Sequence, residues 1–178
     1  MLRYKDGDLP AFQELYRRHS RGLYRFLSWH APRREWADEI AQDSWINLHQ
    51  ARHHYQPLAS FRTYLYQIAR NRLLDVLRQP QLQLTDDDAL FDHLSDAADA
   101  GADTTLEYRQ RTRALHAAIH ALPGEQKEAL ILQQFSGMSL DEIADLVAVP
   151  VETVKSRLRY AMKKLRQHYA ADADREPV

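Results

Sequence analysis

The sequence predicts an all-α protein made of two small helical domains joined by a flexible acidic linker. Three observations carry this expectation. Apolar residues recur at intervals of three and four almost throughout, and only 5 Gly and 7 Pro interrupt 178 residues. Residues 85–105 then break the pattern with seven Asp and no Lys or Arg. A structureless stretch of that length suits a connection between domains better than a loop within one. Finally, residues 139–166 have the layout of a helix-turn-helix, two short helices joined by a tight turn. The expected boundaries are 1–79 for the first domain, 80–104 for the linker, 105–170 for the second domain and 171–178 for a disordered tail.

The first long helix is expected to start after Asp8, a good N-cap, and to run to about Trp29. Its buried stripe is Phe12, Leu15, Tyr16, Leu23, Phe26 and Leu27. Pro32 reopens a helix that reaches about Arg52, with Trp36, Ile40, Trp45 and Leu48 inward and Asp38, Glu39, Gln42 and Asp43 outward. The pattern breaks around Pro57. Ser60 can cap a third helix, from Phe61 to about Arg78, with Phe61, Tyr64, Leu65, Ile68 and Ala69 on one side. Three such helices can share a small core. After the linker, Tyr108, Leu115, Ile119 and Leu122 line one helix face. Pro123 and Gly124 end that helix and start another to Phe135, with Gly137 suited to its stop.

The last two helices carry the clearest chemistry. Ser139 and Glu142 form an S-x-x-E capping box, and Leu140, Ile143, Ala144 and Val147 make one apolar stripe. Pro150 suits the start of the next helix. There Val154, Leu158, Ala161, Met162 and Leu165 are expected inside, while Lys155, Arg159, Lys163 and Arg166 form a basic row. One helix thus props a basic recognition helix against DNA.

The net charge of −1 hides an uneven distribution. Residues 1–84 hold 13 bases against 8 acids, the linker is −7, and the rest has 11 bases against 10 acids. A near-neutral chain with such a linker should bind DNA poorly alone. Without cysteine there is no disulfide framework and no thiolate metal site. No apolar run reaches the roughly 20 residues of a membrane span, and residues 1–8 carry no signal peptide, so a cytoplasmic protein is expected. His49 and His53, like His116 and His120, have i, i+4 spacing, but no carboxylate or thiol completes a zinc set. No phosphate-binding glycine loop or nucleophile elbow occurs, so neither catalytic residues, a cofactor nor a metal is expected.

Four blocks in this order carry a resemblance: FQELYRRH from Phe12, ADEIAQDSW from Ala37, SFRTYLYQIARNRLLDVLR from Ser60, and LPGEQKEAL from Leu122 followed by the helix-turn-helix. Together they resemble the bacterial sigma factors of RNA polymerase, in the extracytoplasmic-function (ECF) group that keeps only regions 2 and 4. The resemblance spans about residues 3–169. It implies that the first domain, region 2, docks on the clamp of core RNA polymerase and melts the −10 promoter element. The second domain, region 4, reads the −35 element and touches the flap.

By the same resemblance the clamp contact falls on Glu39 and Gln42, with Asp38 and Asp43 beside them; the family usually has Asp where this chain has Glu39, which leaves Asp38 and Glu39 both as candidates for the acid. The −10 contacts fall on Arg52, His54, Tyr55, Arg62, Arg70, Asn71, Asp75 and Arg78. Arginine, histidine and aromatic groups are the chemistry that holds unstacked bases. Tyr64, often Trp in the family, lies on the apolar stripe. The −35 contacts fall on Thr153, Lys155, Ser156, Arg157, Arg159 and Tyr160, from side chains able to reach phosphate or guanine edges. Arg157 has an internal contact as its alternative. Tyr160 and Met162 stand where many relatives have Arg, and Glu152 where they have Gly, so the −35 sequence does not transfer. The acidic linker would thread the polymerase cleft as a nucleic-acid mimic. An anti-sigma factor is the implied regulator. Two other functions fit the residues less fully: a self-contained helix-turn-helix regulator that senses a ligand or dimerises, and a helical adaptor protein.

Overall fold

A computed structural model describes the backbone of residues 1–78 and 106–173, and the side chains of 1–78 and 111–168. The expectations for the linker, for Tyr108 and for the final residues lie outside this part. Within it the chain is helical: α1 (Leu2–Lys5), α2 (Leu9–His30), α3 (Arg34–Ala51) running into a 3-10 turn (Arg52–His54), α4 (Phe61–Leu77), α5 (Leu106–His120), α6 (Gly124–Gln134), α7 (Leu140–Val147) and α8 (Val151–Ala173). No helix among the described residues is long and apolar enough to cross a membrane.

The helix starts follow from their caps. The Asp8 carboxylate accepts from the Ala11 N–H at 3.1 Å, and the Ser60 hydroxyl accepts from the Thr63 N–H at 3.1 Å. Ahead of them α1 was not expected. It buries Tyr4, whose ring lies 4.8 Å from that of Phe12 and whose hydroxyl is hydrogen-bonded to His49 Nδ1. Helices α2, α3 and α4 pack around Leu23, Phe26, Leu27, Ile40, Leu48, Leu65, Tyr66 and Ala69. Tyr66 is deeply buried, and burial pushes its hydroxyl up to about 12. A side chain at Gly22 would bring its Cβ to 3.0 Å from that hydroxyl, so a larger residue there would have to displace the Tyr66 ring end.

In the second half the capping box is complete. The Ser139 hydroxyl accepts from the Glu142 N–H at 3.2 Å, and Glu142 Oε2 accepts from the Ser139 N–H at 3.0 Å. Helix α7 ends on Ala148 in the left-handed conformation, φ 55°, which turns the chain toward α8. The Pro150 carbonyl accepts from the Thr153 N–H at 2.9 Å, opening α8 where the proline suggests. Ile131, Leu132, Ile143, Val154, Leu158, Ala161 and Leu165 form the core here.

Two assignments need correction. Met162, expected inside, is 40% exposed. Val154, Leu158, Ala161 and Leu165 already fill the inward stripe, and Met162 sits about 100° further round the helix than Ala161. Tyr16, placed on the buried stripe of α2, is 50% exposed, leaning toward Trp45 with ring centroids 5.0 Å apart. Helix α8 also runs to Ala173, beyond the expected limit of the second domain at residue 170.

Candidate functional site

The outward residues of α3 divide by helical spacing into two pairs. Asp38 and Gln42 share one face and line a groove of about 760 Å³ between α2 and α3, with Phe12, Tyr16, Trp45 and Ile46 as its apolar wall. Glu39 and Asp43 lie on the next face and turn to Arg72 of α4, at 3.5 and 2.8 Å. The four acceptors expected at one contact are thus split. Asp38 and Gln42 stand at the rim of a half-apolar groove, whereas Asp43 is half-buried against Arg72 and Glu39, 65% exposed, lies beside the same guanidinium.

The residues expected at the −10 element are in three different states. His54, Asn71, Asp75 and Arg78 are exposed, Asp75 and Arg78 pairing at 3.6 Å and Asn71 accepting from Gln67 at 3.0 Å. Arg52 donates to the His49 carbonyl at 2.8 Å, and Tyr55 is buried edge-on against Tyr64 at 5.0 Å. Burial pushes both of these hydroxyls up. Tyr55 therefore offers no open face for a base in this arrangement. Arg62 and Arg70 are held by the second half of the chain. Arg70 forks onto Glu128, with Nε 2.8 Å from Oε1, and Arg62 donates to the Gly137 carbonyl and lies 3.7 Å from Glu142.

Those bonds belong to a seam between the halves that the sequence did not disclose. Ser60 donates to Glu142 Oε1 at 2.6 Å. Beside the ion pairs Trp29 is buried among His116, His120 and Phe135, with ring centroids 4.8, 5.4 and 5.3 Å away. His30 adjoins this seam with Lys127, Glu128 and His120 around it. Burial pulls it down to about 4. Glu128 and Trp29 gave no signal of their own, since an acid on a helix and an aromatic in a stripe have ordinary local explanations. Of the histidines weighed for zinc, His49 meets Tyr4 and His116 and His120 meet Trp29, and no group of three potential ligands occurs among the described residues.

On α8 the expected −35 residues also separate. Lys155, Arg159 and Tyr160 are exposed, with Lys163 and Arg166 continuing the row. Lys155 pairs with Glu152 at 2.6 Å, and the Arg159 guanidinium lies 5.4 Å from the Tyr160 ring centre. Thr153 and Ser156 are half-buried beside them. Arg157 turns the other way, its side chain only 17% exposed and 2.8 Å from Glu125 of α6. An open cationic row with hydroxyl neighbours suits phosphate and base edges.

A helical pair with an acid-rimmed groove, joined to a helix-turn-helix with an open basic face, is matched by known families. The model for sigma-70 region 2 matches residues 15–82, and that for sigma-70 region 4 matches residues 112–165. The ECF RNA polymerase sigma factor RpoE of Cereibacter sphaeroides is 36% identical, over 90% of this chain and 87% of its own length. The chain belongs to the ECF sigma factors. The ECF sigma factor SigM of Mycobacterium tuberculosis is 30% identical over 89% of the chain and 77% of its own length. The sigma factor's fold matches CnrH, solved in complex with the cytosolic domain of CnrY, at a TM-score of 0.69 and 21% identity, covering 94% of this chain and 93% of that one. It likewise matches the sigma factor RpoE of Bartonella quintana, solved with the anti-sigma factor NepR, at 0.68 and 19% identity over 91% and 98%. Like its family, this sigma factor directs promoter-specific transcription initiation with core RNA polymerase. Sigma factors are not enzymes.

Proposed function

We propose that this sigma factor divides its work between the two faces just described. The groove rimmed by Asp38 and Gln42 receives the polymerase clamp. The apolar wall supplies area, and the carboxylate and amide fix register on a basic, polar partner. The α4 face, with Arg62, Arg70, Asn71, Asp75 and Arg78, meets the −10 element and holds its bases out of the stack once the duplex opens. The α8 row, led by Lys155, Arg159 and Tyr160, reads the −35 element, and the second half touches the flap. The observation that carries this division is the coexistence of an acid-rimmed groove and an open basic recognition helix on one chain. The protein works in the cytoplasm and performs no catalysis, phosphodiester synthesis belonging to the polymerase. One structural neighbour was solved with the anti-sigma factor NepR and another with the cytosolic domain of CnrY, which supports control of this chain by such a partner as well.

Run-off transcription with purified core polymerase on a promoter library tests the proposal. Promoter-dependent transcripts are expected only when the chain is added, and their absence overturns it. The residue assignment is tested separately. Asp38→Ala with Gln42→Ala should weaken core binding by about ten- to a hundredfold, the range of two lost polar contacts. Glu39→Ala should weaken it less. The opposite ranking returns the contact to Glu39.

A further inference from the structure

We propose that α1 is a brace for promoter opening, in which Tyr4 and Lys5 fix the root of the loop that carries Leu58 to the unpaired bases. The inference rests on the assignment of the first half of the chain to the −10 element. The loop, residues 56–59, leaves the 3-10 turn after Tyr55 and ends at Ser60, the cap of α4. Its residues are exposed, and Leu58, at 88%, is the most exposed large apolar side chain among the described residues. One exposed leucine is ordinary on a protein surface. What sets this one apart is how firmly its loop is rooted. From α4, the Tyr64 ring packs edge-on against the buried Tyr55 ring, with centroids 5.0 Å apart. From α3, Arg52 donates to the His49 carbonyl at 2.8 Å and lies 3.3 Å from His49 Nε2. A guanidinium only donates, so Nε2 accepts, and Nδ1 carries the proton that goes to the Tyr4 hydroxyl of α1. Lys5 of α1 donates to the Tyr55 carbonyl at 3.0 Å.

That carbonyl belongs to the peptide from which the loop departs, so the Lys5 ammonium sets the plane of the departure. Beyond it Pro57 presets its own φ, and the Leu58 N–H closes back on the Gln56 carbonyl at 2.9 Å. The backbone that bears Leu58 is thus left with few alternatives. Helix α1 is itself tied down. Its four residues would not persist as a helix alone, but Tyr4 is buried, Arg3 donates to Asp8 at 2.8 Å, and Gly7, at φ 99°, makes the turn into α2. Holding bases out of the stack calls for a group already in place, since ordering a free loop at the moment of opening subtracts from the gain. Leucine is one of the side chains that wedge into an opened base step. His53 and His54, exposed on the adjoining turn, can meet phosphate or base edges beside it. Neither Lys5 nor Leu58 lines the α2–α3 groove, so polymerase docking is separable from this step.

The test uses the full chain with core polymerase on a duplex promoter, and reads permanganate reactivity of unpaired thymines around the −10 element. Lys5→Met and Leu58→Ala should each lower the open-to-closed ratio about tenfold, for Lys5 the size of one charge-assisted hydrogen bond, with core affinity unchanged. Lys5→Arg, which keeps the donor, should restore opening, as a variant that merely misfolds does not. The double variant should open about as well as Leu58→Ala alone, because Lys5 acts through that side chain. Opening by Lys5→Met equal to that of the wild type overturns the brace. So do additive losses in the double variant, failure of Lys5→Arg to restore opening, or a loss matched by weaker core binding. Run-off transcription by the wild-type chain separates the two proposals. Promoter-dependent transcripts with unaffected variants remove the brace alone, and the absence of transcripts removes the −10 assignment and the brace together.

Discussion

Helices α4 and α8 both present arginine to solvent in their sequences, yet the fold treats them in opposite ways. On α8 the cations Lys155, Arg159, Lys163 and Arg166 are exposed; Lys155 pairs with Glu152 of its own helix and also feels Asp141 of α7. On α4, Arg62, Arg70 and Arg72 are each met by acids from other helices. The difference lies in where the acids sit. Helix α8 packs through its Val154, Leu158, Ala161 and Leu165 stripe, which leaves the opposite side free. Helix α4 is surrounded, with α2 and α3 on one side, α7 on another and Glu128 of α6 reaching Arg70, so its polar positions are also packing positions. A basic residue on a helix thus stands open in this fold only where the neighbouring elements bring no carboxylate directly onto it.

Removing the seam's apolar anchor should break this contrast most strongly. Trp29→Ala is expected to cost about 3–5 kcal/mol of stability without altering an arginine. A thermal melt measures the effect. An unchanged melt would show that Trp29 does not hold the halves together. The contrast within α8 is the next largest. Arg159→Ala should lower promoter affinity of the polymerase complex about tenfold and reduce its salt slope by about one. Arg157→Ala should leave that slope alone and cost under about 1 kcal/mol, because its partner Glu125 is largely exposed. Equal effects on DNA binding would place Arg157 in the reading face after all.

The smallest expected effect is on acidity. His30 titrates near 4 in the fold against an ordinary 6.5, because burial disfavours its charged form. The unfolded chain then binds more protons between those values, so stability falls as pH drops from about 6.5 toward 4 and is fully present above. Burial shifts His19 and His116 in the same direction. For His30 the loss is on the order of 1 kcal/mol by pH 5.5. Denaturant midpoints at pH 7 and 5.5 measure it, and His30→Gln should flatten the difference. A slope unchanged by that substitution would assign it to the other two histidines.

These contrasts also mark what the residue pattern could disclose. Caps act over three residues, so Asp8, Ser60 and the Ser139–Glu142 box were legible and set the helix starts. Periodicity located Ile40, Leu65, Ile143 and Val154, since core positions repeat along one element. It overreached at Met162, because an apolar residue beside a full stripe looks like part of it. The basic row of α8 was visible for the same local reason. Arg62 and Arg70 were visible as arginines, but their partners lie 75 and 58 residues away, across the acidic stretch. No short-range rule encodes that pairing. The division of Asp38 and Gln42 from Glu39 and Asp43 follows from helical spacing, but which pair faces a groove depends on how α2 and α4 flank α3.

Glu142 uses one carboxylate for two tasks. One oxygen completes the start of α7, and the other takes the Ser60 hydroxyl across the seam. Selection acting on this residue therefore cannot tune one task without touching the other. A genetic screen for variants with a loosened seam would find Glu142 substitutions masked by poor protein levels. Glu128 has no such second duty at a helix cap, so such alleles should accumulate there and at Trp29's partners instead.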